Sequence, residues 1–86
     1  MSDRWELVFH GEAMEMMMSA RLRDKRALSK VFSALEANPY READYEEKDD
    51  TGRSLSVILA GRWAVFYWLD HFFREIRIVK LEEVGY

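Results

Sequence analysis

The stretch that decides the fold is RSLSVILAGRWAVFYWLDHFFREIRIVKL, residues 53–81 of the 86-residue chain. It is rich in β-branched and aromatic residues, which fit the pleated, half-buried surface of a sheet. Two dipeptides interrupt it, Gly61-Arg62 and Asp70-His71. The pattern therefore predicts three consecutive antiparallel strands, at residues 53–59, 63–69 and 75–81.

The middle strand, WAVFYWL at residues 63–69, has no polar face. A strand that is apolar on both sides is either buried on both sides or has one side that a partner covers. Gly61-Arg62, just before it, suits a two-residue type II′ turn, which favours glycine in the first position. The function of the protein depends on which of the two explanations holds for this strand.

The last strand is predicted to alternate, and residues 82–86 after it are predicted to fray. Its two faces are Ile76 and Ile78 on one side, and Arg77, Val79 and Leu81 on the other.

The N-terminal half contains the helical signals. Residues 4–10 alternate with Trp5, Leu7 and Phe9 on one side, which predicts a strand. Residues 12–21 carry alanine and methionine at helical spacing, which predicts a short first helix.

A longer second helix is predicted to follow, with Asp24 as its N-cap. It should end near Asn38, because Pro39 disfavours helical geometry in the residue before it. A link at residues 22–24 would join the two helices as a hairpin. The apolar face of the second helix consists of Ala27, Leu28, Val31, Phe32 and Leu35.

A short strand at residues 43–48, with Tyr45 pointing inward, is predicted to precede the turn residues 49–52. The order is then β-α-α-β-β-β-β. Such an order predicts an α+β fold in which a two-helix hairpin packs on one face of an antiparallel sheet. The whole chain, residues 1–86, is predicted to form one domain.

Composition restricts the possible functions. The net charge is −3, whereas an indiscriminate nucleic-acid binder is usually basic, because neutralised phosphates supply most of its affinity. The sequence has no cysteine and no apolar run of about 18 residues that could span a membrane. The first residues lack the basic and then apolar pattern of a signal peptide. We therefore expect a cytoplasmic protein with no membrane partner.

No motif for a cofactor, a phosphate-binding loop or a catalytic triad occurs, and two distant histidines do not predict a metal site. His71 could present a proton donor at its turn or simply pair with Asp70 or solvent. Four arginines could share a sheet face and bind phosphate or carboxylate, or form ordinary cross-strand ion pairs: Arg53, Arg62, Arg74 and Arg77. Tyr67 and Trp68 could stack on bases or pack in the core.

Four segments together resemble the RelE/ParE superfamily of bacterial toxins, over about Trp5 to Val84. They are ALEANPY at the end of the second helix, the acidic turn with Gly-Arg, LAGRWAVFYWLD, and EIRIVKLEE. The resemblance implies a compact antiparallel sheet with two helices on one face. It also implies a toxin that a cognate antitoxin neutralises, and that acts as a ribosome-dependent mRNA endoribonuclease or as an inhibitor of DNA gyrase.

The resemblance also suggests candidate site residues. The available catalytic set is Arg62, Arg77 and His71, with Arg53 and Tyr86 as further groups. The ribonuclease members carry basic residues on the strand that matches residues 53–59, where this chain has Ser54 and Ser56. This difference favours binding over catalysis. The predicted binding residues are Arg53, Trp63, Tyr67 and Trp68.

The leading hypothesis is a toxin, or a toxin-derived protein, that acts by binding proteins and needs no cofactor. Its expected partners are a cognate antitoxin or a second copy, and the ribosome with mRNA or DNA gyrase as targets. The alternatives are a ribosome-dependent mRNA endoribonuclease and a non-toxic, small dimeric structural module.

Overall fold

The computed structural model, which describes residues 4–84, has the predicted order β-α-α-β-β-β-β and the predicted α+β class. The elements are β1 (Glu6–Phe9), α1 (Gly11–Ser19), α2 (Leu22–Ala37), β2 (Tyr45–Lys48), β3 (Ser54–Ala60), β4 (Trp63–Asp70) and β5 (Glu75–Glu83). Within the described residues, no helix is both long and apolar enough to cross a membrane.

The five strands form one sheet in the order β1-β5-β4-β3-β2. Strands β2 to β5 are antiparallel neighbours, as predicted, but β1 pairs parallel to β5, with Glu6 opposite Glu75. The sheet is therefore mixed. No tight turn links β1 to β5, and the rest of the chain supplies the long connection that a parallel pair requires.

Helix α2 begins three residues earlier than predicted, and Asp24 is not its N-cap. Arg21 occupies that position without a side-chain cap, and the link between the helices is Ala20-Arg21. Asp24 lies in the first turn of α2, where the helix dipole favours a carboxylate. Its side chain is buried and binds an arginine from the sheet, as described below.

Both helices cover one side of the sheet, here called the inner face. The largest buried side chains there come from α2, β4 and β5. The buried residues of this cluster are Ala13, Leu28, Val31, Phe32, Leu35, Ile58, Trp63, Val65, Tyr67, Ile76, Ile78 and Leu81.

The opposite side, here called the outer face, has no helix over it, and yet several of its side chains are buried. Leu55, Val57, Ala64 and Phe66 are buried there, and Trp68 packs beside them. Strand β4 is therefore buried on both sides, with alternate residues in the two clusters. Val79 and Val84 also pack against this outer cluster, and long cationic side chains lie over the rings of Trp68 and Phe66.

A β-bulge in β5 corrects the predicted alternation of that strand. Tyr67 pairs with Ile78 and Phe66 pairs with Lys80, which leaves Val79 without a partner of its own. Because the extra residue reverses the alternation, Leu81 joins the inner core instead of the face of Arg77. The strand also continues to Glu83 rather than fraying at residue 82.

The turn between β3 and β4 has the predicted type, whereas the predicted orientation of Tyr45 on the edge strand is wrong. Ala60 pairs with Trp63, and Gly61 has φ of +60° while Arg62 does not have a positive φ, which fits the predicted type II′ turn. Tyr45 was predicted to point inward but is 44% exposed. It pairs with Val57 and so lies on the outer face of an edge strand.

Candidate functional site

Three cations lie over aromatic rings on the outer face. The Arg53 guanidinium is 3.9 Å from the centre of the Trp68 ring, and the Arg77 guanidinium is 5.5 Å from the same ring. The Lys80 ammonium is 4.3 Å from the centre of the Phe66 ring. We call these five residues the cationic–aromatic surface. Such contacts are attractive because the face of an aromatic ring is electron-rich.

The strand register builds this surface. Trp68 is opposite Arg77, and Phe66 is opposite Lys80, so each ring has its cation on the neighbouring strand. The bulge at Val79 is what brings Lys80 to the outer face, because without the extra residue Lys80 would point inward. Arg53 reaches Trp68 from the residue just before β3.

The cations differ in how far their charge is already neutralised. The Arg77 guanidinium donates to Asp70 at 3.2 Å and to Glu75 at 2.7 Å, and Lys80 lies 3.3 Å from Glu82. Within residues 4–84, no carboxylate lies within ion-pair distance of the Arg53 guanidinium. Arg53 is therefore the cation of this surface with the most capacity for an anionic partner.

Asp70 fixes both the hairpin turn and Arg77. Its carboxylate accepts the backbone N–H groups of Phe72 and Phe73 at 3.1 and 3.2 Å. The hydrogen bond from Phe73, followed by the contact with Arg77, lowers the pKa of Asp70 below its ordinary value. Arg77 is thus held against Trp68 by a carboxylate that stays ionised.

His71 lies on the inner side, away from the cationic–aromatic surface. Its ring nitrogen Nδ1 is 3.4 Å from the Tyr40 hydroxyl, and the centres of the His71 and Trp5 rings are 5.4 Å apart in an edge-to-face arrangement. Among the residues described, no three potential metal ligands gather here or elsewhere. The histidine therefore belongs to an aromatic cluster with one hydrogen bond.

Arg62 joins three elements at the opposite end of β4. Its guanidinium donates to Asp24 at 3.0 Å and contacts Glu83 at 3.1 Å, and its carbonyl accepts the Val84 N–H at 2.7 Å. The hydrogen bond from Arg62 lowers the pKa of Asp24, and the same bond raises the pKa of Arg62. This contact ties the β3–β4 turn to the first turn of α2.

The indole of Trp63 lies beside this ion pair. Its Nε1 is buried and has no hydrogen-bond partner of good geometry within residues 4–84. The same indole N–H nevertheless contributes to the lowered pKa of Asp24. We interpret it as a weak, imperfectly aligned donor to that carboxylate.

The predicted site residues are thus distributed over separate places. Arg62 and His71 flank the eight residues of β4, which places them roughly 25 Å apart at the usual rise of a strand. The structure therefore does not bring the predicted catalytic set together. Tyr86 lies outside the described residues.

The predicted binding residues divide between the two faces. Arg53 and Trp68 meet on the outer face, whereas Trp63 and Tyr67 pack in the inner core. Burial raises the pKa of the Tyr67 hydroxyl. The sequence did not single out Phe66 and Lys80, because their pairing depends on the bulge.

Solved structures with the same fold come from toxin–antitoxin complexes. The chain is similar to the RelE chain of the archaeal RelE–RelB complex from Pyrococcus horikoshii, with 18% identity and a TM-score of 0.75, over 94% of this chain and 96% of that one. It is also similar to a chain of the RelBE2 toxin–antitoxin complex from Mycobacterium tuberculosis, with 15% identity and a TM-score of 0.75, over 93% and 98%. No family model and no curated protein matches the sequence significantly. The predicted RelE-like fold is confirmed.

Proposed function

We propose that the chain is a RelE/ParE-like toxin, or a protein derived from one, of a toxin–antitoxin system, and that it acts by binding other proteins. One observation carries the proposal: its fold matches that of RelE chains over nearly its whole length. Those chains were solved in complexes with an antitoxin. A cognate antitoxin is accordingly the first partner, and the pair would work in the cytoplasm.

Binding is favoured over catalysis because the candidate groups do not meet. Cleavage of RNA through its 2′-hydroxyl needs a base, an acid and a cation around one phosphate. Arg62 is occupied by Asp24 and Glu83, and His71 is about the length of β4 away. Arg77 is held by two carboxylates. A binding surface requires only that groups lie side by side, as Arg53 and Trp68 do.

The proposed contact area for the partner is the cationic–aromatic surface. Aromatic and arginine side chains contribute the most to many protein interfaces. Trp68 offers a partly buried ring, and Arg53 offers a guanidinium that has no carboxylate within ion-pair distance in residues 4–84. The same surface would face the cellular target, the ribosome or DNA gyrase, when the antitoxin is absent.

Expression of the chain alone is expected to arrest bacterial growth, and coexpression of a short, DNA-binding antitoxin encoded next to it should restore growth. The two proteins should copurify and elute together in size-exclusion chromatography. Arg53→Ala should weaken their complex. Arg26→Ala is the matched control, because Arg26 is exposed on α2, on the other side of the sheet.

Two results would contradict the proposal. One is normal growth together with a folded monomer that binds no product of a neighbouring gene. The other is a stable dimer without toxicity, which would indicate a structural module.

A second candidate function, ribosome-dependent mRNA cleavage, is favoured by the stacking of Arg53 on Trp68 with Arg77 and Lys80 nearby. Cations beside a partly exposed aromatic ring such as Trp68 suit a single RNA strand. If this candidate is correct, wild type cleaves mRNA on translating ribosomes in a primer-extension assay. Arg53→Ala and Arg77→Ala should then each reduce the rate, by about 10²–10³-fold if the guanidinium stabilises the charge of the transition state. Absence of cleavage by wild type, or cleavage indifferent to both changes, eliminates it.

A further inference from the structure

Strand β2 forms an open edge of the sheet. It is the last strand in the order β1-β5-β4-β3-β2, and all four of its residues are exposed. Within residues 4–84, β3 is its only strand neighbour. Such an edge presents unpaired backbone groups to which another strand can be added.

The ladder between β2 and β3 shows which backbone groups point away from the sheet. The Asp49 N–H donates to the Arg53 carbonyl at 2.9 Å, so the backbone of Asp49 faces β3. Because hydrogen bonding alternates along an antiparallel strand, Tyr45 and Glu47 also face β3. The backbone groups of Glu46 and Lys48 consequently point to the open side.

The segment around this edge is strongly acidic. Residues 41–50, READYEEKDD, contain six carboxylates and two cations, a net charge of −4 in a chain whose total is −3. Asp44 accepts the Leu59 N–H at 2.7 Å, and Asp49 accepts three donors in its turn. The side chains of Glu47 and Asp50 form no hydrogen bond or ion pair within the described residues.

Both sides of the edge have room for the side chains of an added strand. An open groove of about 480 Å³ borders the first half of β2 on the inner side. Its lining is mixed, because Ala43, Tyr67 and Leu69 are apolar or aromatic whereas Asp44 and Glu46 carry carboxylates. On the outer side, Tyr45 is half exposed. The groove therefore suits a guest strand that carries both apolar and basic side chains.

We infer that the β2 edge binds a basic, extended segment of a protein partner as a sixth strand of the sheet. Main-chain hydrogen bonds to Glu46 and Lys48 supply affinity, and the groove and the carboxylates select alternating apolar and basic side chains. A second copy does not fit, because every antiparallel self-pairing through the outward backbone groups of Glu46 and Lys48 places like charges directly opposite each other: Glu46 with Glu46, Glu47 with Glu47, or Lys48 with Lys48. The inference rests on the proposed function in one respect only, which is that the basic extended segment is assigned to the antitoxin.

The edge can be tested with a labelled peptide of alternating lysine and valine, and with a matched peptide of alternating glutamate and valine. Fluorescence anisotropy with the full chain at low salt should detect the lysine peptide and not the glutamate peptide. Lys48→Pro removes the outward N–H without breaking the ladder to β3, since proline is tolerated on an edge strand. It should weaken binding by about two- to tenfold, the range expected for the loss of one hydrogen bond.

Lys48→Ala is the matched control, because it removes the same positive charge but keeps the N–H. It should bind the basic peptide at least as tightly as wild type. If Lys48→Pro does not fold, hydrogen exchange on wild type decides instead, and the peptide should slow exchange of the Glu46 and Lys48 amides. Equal binding by the two Lys48 variants, equal binding of the two peptides, or unchanged exchange at both amides would overturn the inference.

The same variants separate this inference from the proposed function. If the antitoxin binds wild type and Lys48→Pro equally, the proposed function stands and the edge inference fails. If no antitoxin binds but the lysine peptide discriminates between the two variants, the edge inference stands and the proposed function fails.

Discussion

Leu35→Ala should lower the free energy of unfolding by about 2–5 kcal/mol. Leu35 is 0% exposed and lies in the inner core, where α2 packs on the sheet. The change removes the burial of the isobutyl group and leaves a cavity that a closely packed interior refills only in part. Since domains of this size are stable by only about 5–15 kcal/mol, the loss is a large share of the total. Urea denaturation followed by tryptophan fluorescence measures it.

The same substitution at Leu59 is the matched control. Leu59 is 47% exposed on the outer side of β3, so truncation removes little buried surface. Its effect should be within about 0.5–1 kcal/mol of wild type. Equal losses at the two positions would contradict the burial described for α2.

Stability should fall steeply as the pH is lowered from 5 towards 2. Asp24, Asp49 and Asp70 each have a pKa below the ordinary value of 3.8 in the folded protein. The main causes are the hydrogen bond from Arg62, the hydroxyl of Thr51 and the N–H of Phe73, respectively. A carboxyl whose pKa is lowered by folding stabilises the folded state above its unfolded pKa. That contribution is lost as the pH falls through the folded pKa.

The urea midpoint at a series of pH values between 6 and 2 measures this dependence. Asp24→Asn should be less stable than wild type at pH 6, because Arg62 loses its charged acceptor. The same variant should depend less steeply on pH below 5. Asp50→Asn is the control and should keep the wild-type slope, since no hydrogen bond or ion pair engages the Asp50 side chain within residues 4–84. If the urea midpoints of wild type and Asp24→Asn depend equally on pH, the lowered pKa of Asp24 does not contribute to the acid sensitivity.

Local signals were sufficient to predict the order of elements. The two-faced apolar strand, Gly61 in its turn and Pro39 after the long helix each act within a few residues, and all three features occur as predicted. The errors concern contacts between distant residues. Asp24 has the chemistry of an N-cap, but its actual partner is Arg62, 38 residues later. The local sequence around Asp24 gives no information about a partner so distant in the chain.

The candidate site was harder to predict than the fold. Arg53 and Trp68 were identified from residue type, but their contact across the outer face depends on the register of three strands. The bulge at Val79 moves Lys80 onto Phe66 and Leu81 into the core, and a single inserted residue leaves no clear signal in a sequence of alternating apolar residues. The orientation of Tyr45 was not predictable, because all four residues of β2 are exposed and the strand has no apolar face that fixes which side chains point inward.

The parallel pairing of β1 with β5 has a consequence for the newly synthesised chain. Glu6 pairs with Glu75, so the first strand finds its partner only after the segment that contains β5 has been made. Until then β1 and the helical hairpin lack the surface on which they pack, and contacts between such distant segments form slowly. A chain released prematurely before β5 would lack the central neighbour of both β1 and β4. Translation of a truncated message should therefore yield an unfolded fragment for degradation rather than a partly active protein.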